Sequence, residues 1–127
     1  MPALDRLPDD VAEGPTNFAV GTKLLGENEH VRVWEIRVAP GERHRFHCHR
    51  TSYFWVAHAG ARVRVTYPDG AYHDYEHQAG EVTYLEIAAG EQNVQDLTNT
   101  GDTPLRITTI ELLQNDRLFW RPLPANP

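Results

Sequence analysis

Pro40-Gly41-Glu42-Arg43-His44-Arg45-Phe46-His47-Cys48-His49, followed by Tyr53-Phe54-Trp55-Val56-Ala57 and closed by Ala59-Gly60, decides how this chain is read. Pro-Gly before an acidic residue is a turn signal. The residues after it predict a strand over 43–49. On a strand, His47 and His49 share one face, with Cα atoms about 7 Å apart. Two imidazoles at that spacing can converge on one ion and suit Zn, Fe, Ni, Cu or Mn. Cys48 points to the opposite face. The same parity puts Tyr53, Trp55 and Ala57 on one face of the next strand and His58 on the other.

Working outward, short runs alternate at period two and are rich in Val, Ile, Thr and Tyr. They predict strands over 31–38, 43–49, 53–58, 62–67, 71–77, 82–87, 93–97 and 105–113. A further strand is expected over 18–25, with Gly26-Glu27-Asn28 as its turn. Pro68-Asp69-Gly70 reads as a hairpin turn, and Asn99-Thr100-Gly101-Asp102-Thr103-Pro104 as a long turn. No dozen-residue window carries a helical period. Short strands about ten residues apart imply an all-β sandwich or barrel. Residues 1–16 are expected to form an arm with little structure of its own, 17–116 the barrel, and 117–127 a Pro-rich tail. Leu118, Phe119 and Trp120 are expected to pack that tail on the barrel or on a second subunit.

Composition sets the outer limits. The chain has 127 residues, 40% hydrophobic and 24% charged, with a net charge of −6. That is one domain, able to bury roughly 65% of the surface its unfolded form exposes. No uncharged apolar run is long enough to cross a bilayer as a helix. The acidic balance argues against nucleic acid as a partner. One cysteine allows no intrachain disulfide. Residues 1–13 lack the apolar stretch of a signal peptide, so a cytoplasmic location is expected. Ser52 is the only serine, and it has no glycine elbow; phosphate-loop and dinucleotide fingerprints are absent. Seven histidines in so small a chain remain to be explained.

The frame Gly41, five residues, His47-x-His49, three residues, Tyr53, six residues, Gly60 resembles the first motif of the cupin family. Pro40-Gly41-Glu42 is similar to that family's Pro-Gly-acid turn. Gly80, Val82, Tyr84 and then Asn99 to Leu105 resemble its second motif and trailing turn. Phe46-His47-Cys48-His49 with Tyr53-Phe54-Trp55 also resembles small bacterial cupins associated with β-alanine degradation. The resemblance covers residues 31–113. It implies a single-domain, cupin-like jelly-roll β-barrel with a metal inside, held by two histidines and a glutamate from the first motif and one histidine from the second.

Carried over by position, His47 and His49 match. Tyr53 stands at the glutamate position, and the second-motif histidine is replaced by Gln95 or Asn93, depending on the direction of counting. No histidine follows His77. Neutral groups thus replace half the implied ligands, which should weaken affinity for a cation. Glu86 reaches the site only if a bulge near Ala88-Ala89-Gly90 turns it inward. His30, His44, His58, His73 and His77 are read as surface residues. His73, Tyr75 and His77 share a strand face, equally a solvated stripe or a pocket wall.

Two functions are carried forward. One is a metal-dependent enzyme acting on a small organic metabolite by oxidation, isomerisation or lyase chemistry. Its cofactor would be a divalent transition metal (Zn, Fe, Ni or Mn) on His47, His49 and Gln95. The other is a metal-free binding protein or cofactorless isomerase. In either, Tyr53, Trp55, Thr83 and Leu85 line the ligand site. Tyr53 serves as a general acid or base only if a neighbour lowers its pKa; otherwise it fills the core. A homodimer paired through a sheet edge is expected.

Overall fold

A computed structural model describes residues 7–113. Nine strands follow one 3-10 helix, Asp9–Thr16: β1 Lys23–Glu27, β2 Val31–Val38, β3 Arg43–His49, β4 Tyr53–Ala57, β5 Ala61–Thr66, β6 Tyr72–His77, β7 Val82–Leu85, β8 Asn93–Asn99 and β9 Leu105–Leu112. They form two antiparallel sheets, ordered β1-β2-β9-β4-β7 and β3-β8-β5-β6. The inward residues of these strands make the core: Ile36 and Val38, Ala57, Ala61, Val63 and Val65, Leu97, Leu105 and Ile107. β9 shows the pattern plainly, with Leu105, Ile107, Thr109 and Glu111 buried between less buried neighbours. No helix among the described residues is long and apolar enough to cross a membrane.

Most predicted strands stand within a residue or two of their expected bounds. The first differs: β1 starts at Lys23, and Gly26 and Glu27 belong to it through a bulge against β2. The turn centres on Asn28, whose Oδ1 accepts the N–H groups of His30 and Val31. β7 stops at Leu85, short of the expected 87. The tail expected over 117–127 lies outside the described residues.

Residues 9–16 correct the expectation of an arm with little structure. Asp10 of the 3-10 helix accepts two bonds from the Arg43 guanidinium, at 2.7 and 3.0 Å, and one from the Phe46 N–H. Arg43 also bonds Asp96 of β8. Asn17 then runs along the free edge of β3, donating to Phe46 O and accepting from Cys48 N. An otherwise open strand edge is covered by this segment. Its stability comes from partners some 30 residues ahead, which local sequence does not display.

The segment continues tightly packed. A Cβ on Gly21 would collide with Trp34 Cβ and lie 2.8 Å from Glu35 O. Gly21→Ala is therefore expected to destabilise the fold by about 2–3 kcal/mol through overpacking. Urea unfolding checks this: an unchanged midpoint would show that the segment shifts freely.

The β3–β8 ladder contains the irregularity that matters most. His44 faces Leu97, but His47 faces Gln95, so β3 carries one extra residue between them. A bulge of this kind reverses parity. His44 thereby joins His47 and His49, while Phe46 and Cys48 face the other way.

Candidate functional site

A cavity of about 150 Å³ lies between the sheets. β3 contributes His47 and His49, β4 Tyr53 and Trp55, β7 Thr83 and Leu85, and β8 Asn93 and Gln95. The residues singled out as candidate ligands or pocket lining, Glu86 excepted, are thus brought to one cavity. Both second-motif amides line the cavity: Gln95 stands opposite His47 and Asn93 opposite His49 in the register.

The two histidines are 2% and 3% exposed. His47 Nδ1 lies 2.8 Å from Arg45 O. A carbonyl only accepts, so Nδ1 carries the proton and Nε2 keeps its lone pair. Burial, reinforced by neighbouring His44, pushes the His47 pKa down to about 4. Burial likewise holds His49 well below the ordinary imidazole range, with His47 and His44 adding to the effect. Both rings are neutral at pH 7. His49 Nδ1 is buried with no hydrogen-bond partner among the described residues. The two ring centroids are 5.0 Å apart, nearly edge-on, and His49 stacks on Tyr53 at 4.0 Å.

Tyr53 does not meet the condition for acting as a base. Burial, with Tyr67 second, pushes its phenol above the ordinary value, although Asn93 and Gln95 hydrogen-bond it. It stays protonated. Asn93 Nδ2 in turn donates to Gln95 Oε1 at 2.9 Å.

Two histidines read as surface residues are buried. His77 lines the cavity, 6% exposed, edge-on to Trp55, with Nδ1 2.9 Å from Glu81 Oε2. His44 is 9% exposed, its ring 4.7 Å from that of His47 and its Nε2 donating to Ala19 O. The bulge explains His44. The His77 ring meets Trp55 of β4 edge-on and stacks on Tyr75 of its own strand. His30, His58 and His73 are exposed, as expected. Glu86 is exposed and is not among the lining residues.

Sequence reasoning missed Tyr67 and Thr109 as lining residues; Tyr75 with His77 forms a pocket wall rather than a solvated stripe. It also missed Glu111, a buried carboxylate that accepts the Trp34 Nε1–H at 2.6 Å. The period-two face shared by Thr109 and Glu111 was the available signal. Among the described residues, no group of three or more His, Cys, Asp or Glu is placed to hold a metal ion.

The fold has counterparts among solved structures. A cupin domain from Bordetella pertussis superposes with a TM-score of 0.63 at 22% identity, covering 71% of this chain and 88% of that one. The chain has the cupin fold. An RmlC-like cupin family protein from Methanocaldococcus jannaschii, with a double-stranded β-helix, gives a TM-score of 0.54 at 21% identity over 71% of this chain and 76% of its own. A double-stranded β-helix protein from Klebsiella pneumoniae gives 0.53 at 16% identity, over 87% of this chain and 93% of its own. No protein-family profile and no curated protein matches the sequence. In this cupin barrel, the cavity occupies the space between the two sheets.

Proposed function

We propose that this cupin barrel acts on a small organic metabolite in its cavity, and that His47 and His49 supply two ligands to a divalent transition metal there. One observation carries the reading. The Arg45 carbonyl fixes the His47 tautomer with Nε2 unprotonated, beside a buried His49 whose Nδ1 has no partner among the described residues. A ring nitrogen oriented through its second N–H is how metal-binding histidines are held. Neutral imidazoles suit Zn, Fe, Ni or Mn. Gln95 and Asn93 stand opposite the two histidines in the register, and their amide oxygens would be weak further donors. Bound there, the ion supplies Lewis-acid or redox chemistry to oxidation, isomerisation or lyase reactions. The chain's own residues do the rest. Tyr53 stays protonated, Trp55 and Leu85 exclude water, and the low His47 pKa keeps that ring from being lost to protonation at neutral pH.

Elemental analysis of untagged protein, purified without chelator, is expected to find near-stoichiometric transition metal that disappears in His47→Ala/His49→Ala. No metal, and no rise in melting temperature on adding Zn, Ni, Fe(II), Mn or Cu, would sink the reading.

The second reading is a metal-free binding protein. The mutual hydrogen bond of Asn93 and Gln95 favours it, because it occupies an oxygen a metal would use. On that reading Trp55→Ala weakens ligand binding and the chain takes up no metal.

A further inference from the structure

The cavity wall contains no Asp, Glu, Lys or Arg among the described residues. His77 is paired through Nδ1 with the Glu81 carboxylate at 2.9 Å, so no positive charge there is left for a guest. Two buried carboxylates of the barrel are engaged elsewhere. Asp96 holds Arg43 and the Thr66 N–H, and Glu111 holds Trp34. A charged guest would thus enter without a counter-ion, and burying unpaired charge is strongly unfavourable.

The other two histidines of the wall offer opposite hydrogen-bonding ends. His47 Nδ1 donates to Arg45 O at 2.8 Å, which leaves Nε2 as an acceptor. His49 is the reverse. Its Nδ1 is buried with no partner among the described residues. A neutral imidazole carries one N–H and one lone pair, and a buried N–H without an acceptor is rare and costly. The lone pair therefore sits on Nδ1 and the proton on Nε2. Neither Nε2 makes a hydrogen bond among the described residues. With ring centroids 5.0 Å apart, an acceptor and a donor stand side by side in the wall. One amide group, with N–H and C=O on neighbouring atoms, is their complement.

We propose that the cavity takes an uncharged, flat, single-ring lactam, whose N–H donates to His47 Nε2 and whose C=O accepts from His49 Nε2. This rests on the metal-free reading given second above. A cavity near 150 Å³ holds about one benzene-sized molecule, so the guest is a single ring. Trp55, Tyr67 and Tyr75 supply aromatic walls against which a planar ring packs.

The test is isothermal titration calorimetry of the whole chain, dialysed against chelator, with 2-pyridone, N-methyl-2-pyridone and benzoate at neutral pH. All three are planar single rings. The first offers both amide groups, the second lacks the N–H, and the third carries a charge. 2-Pyridone is expected to bind about tenfold or more tightly than either, because each rival leaves a buried group unpaired. His47→Phe keeps a ring but has no acceptor. It should bring 2-pyridone down to the level of its N-methyl analogue, with thermal unfolding confirming that the variant folds. The three probes on the unaltered chain decide the matter without the variant. Equal binding of the N-methyl analogue, or a preference that survives in folded His47→Phe, would overturn the bond to His47. Benzoate binding as tightly as 2-pyridone would overturn the uncharged guest while leaving the metal-free cavity reading intact. Binding of none of the three would overturn that reading, and the lactam with it.

Discussion

Metal-free protein loses about 3 kcal/mol of stability through His47 alone as the pH falls from 6.5 to 4. The sign follows from burial. In the folded chain the His47 pKa is pushed down to about 4, while in the unfolded chain it stands near 6.5. The unfolded state therefore takes the proton first. The stabilisation is complete above pH 6.5 and is lost as the pH falls through that window. His49 and His44 are shifted the same way, chiefly by burial, and deepen the loss. Asp10 works in the same sense at more acid pH, because Arg43 holds its carboxyl below the usual range. Asp96 and Glu111 work against it, because burial raises their pKa values. Urea unfolding at a series of pH values, after dialysis against chelator, reads this directly. His47→Gln/His49→Gln should flatten most of the slope between pH 6.5 and 4. A wild-type curve already flat in that window would show that the two rings are not buried as neutral groups.

Asn99→Leu is expected to remove about 4 kcal/mol, a large share of the 5–15 kcal/mol that holds a domain of this size together. Asn99 is fully buried at the end of β8. Its Nδ2 donates to Val38 O at 3.0 Å and Thr103 O at 2.8 Å, and its Oδ1 accepts the Gly101 N–H at 2.9 Å. One side chain thus fastens the end of β2 to the whole turn between β8 and β9. Leucine has nearly the same volume, so little space opens. Three backbone polar groups lose their partners, the Val38 carbonyl in the interior and the other two at a partly buried turn, each loss worth about 1–3 kcal/mol. The measurement is the urea midpoint, with the slope of the transition unchanged. A loss under about 1 kcal/mol would mean that water enters the turn and replaces the amide.

These cases show what can be read from the chain and what cannot. The alternation in β2, β4 and β9 was legible because each of those strands keeps one face in the core. Tyr53, Trp55 and Ala57 accordingly share the inward face, with His58 outside. The His47–His49 pair was legible for the same reason. The face of His44 was not, because a bulge is set by the partner strand. A bulge near Ala88 was the condition for Glu86 to reach the site; the one that shapes the site lies instead between His44 and His47. The burial of His77 was not legible because Trp55, which meets it edge-on, belongs to β4 in the other sheet. The helix at residues 9–16 was missed because its holding group, Arg43, belongs to another element. Gln95 and Asn93 share a strand face, as their odd spacing implied, and both line the cavity.

The docked N-terminal segment gives the protein a chemical clock. Cys48 is the only cysteine and is 1% exposed, two residues from Phe46 on the outer face of β3, with its N–H bonded to Asn17 O. Burial also raises its thiol pKa, which slows reaction further. Lifting of the segment, which frees the backbone of β3 at Cys48, is expected to expose the thiol to a reagent. The alkylation rate, compared with that of the unfolded chain, therefore counts how often the segment opens while the barrel stays folded. The strand being timed is the one that carries His47 and His49, so the same clock reports how steadily the cavity wall is held.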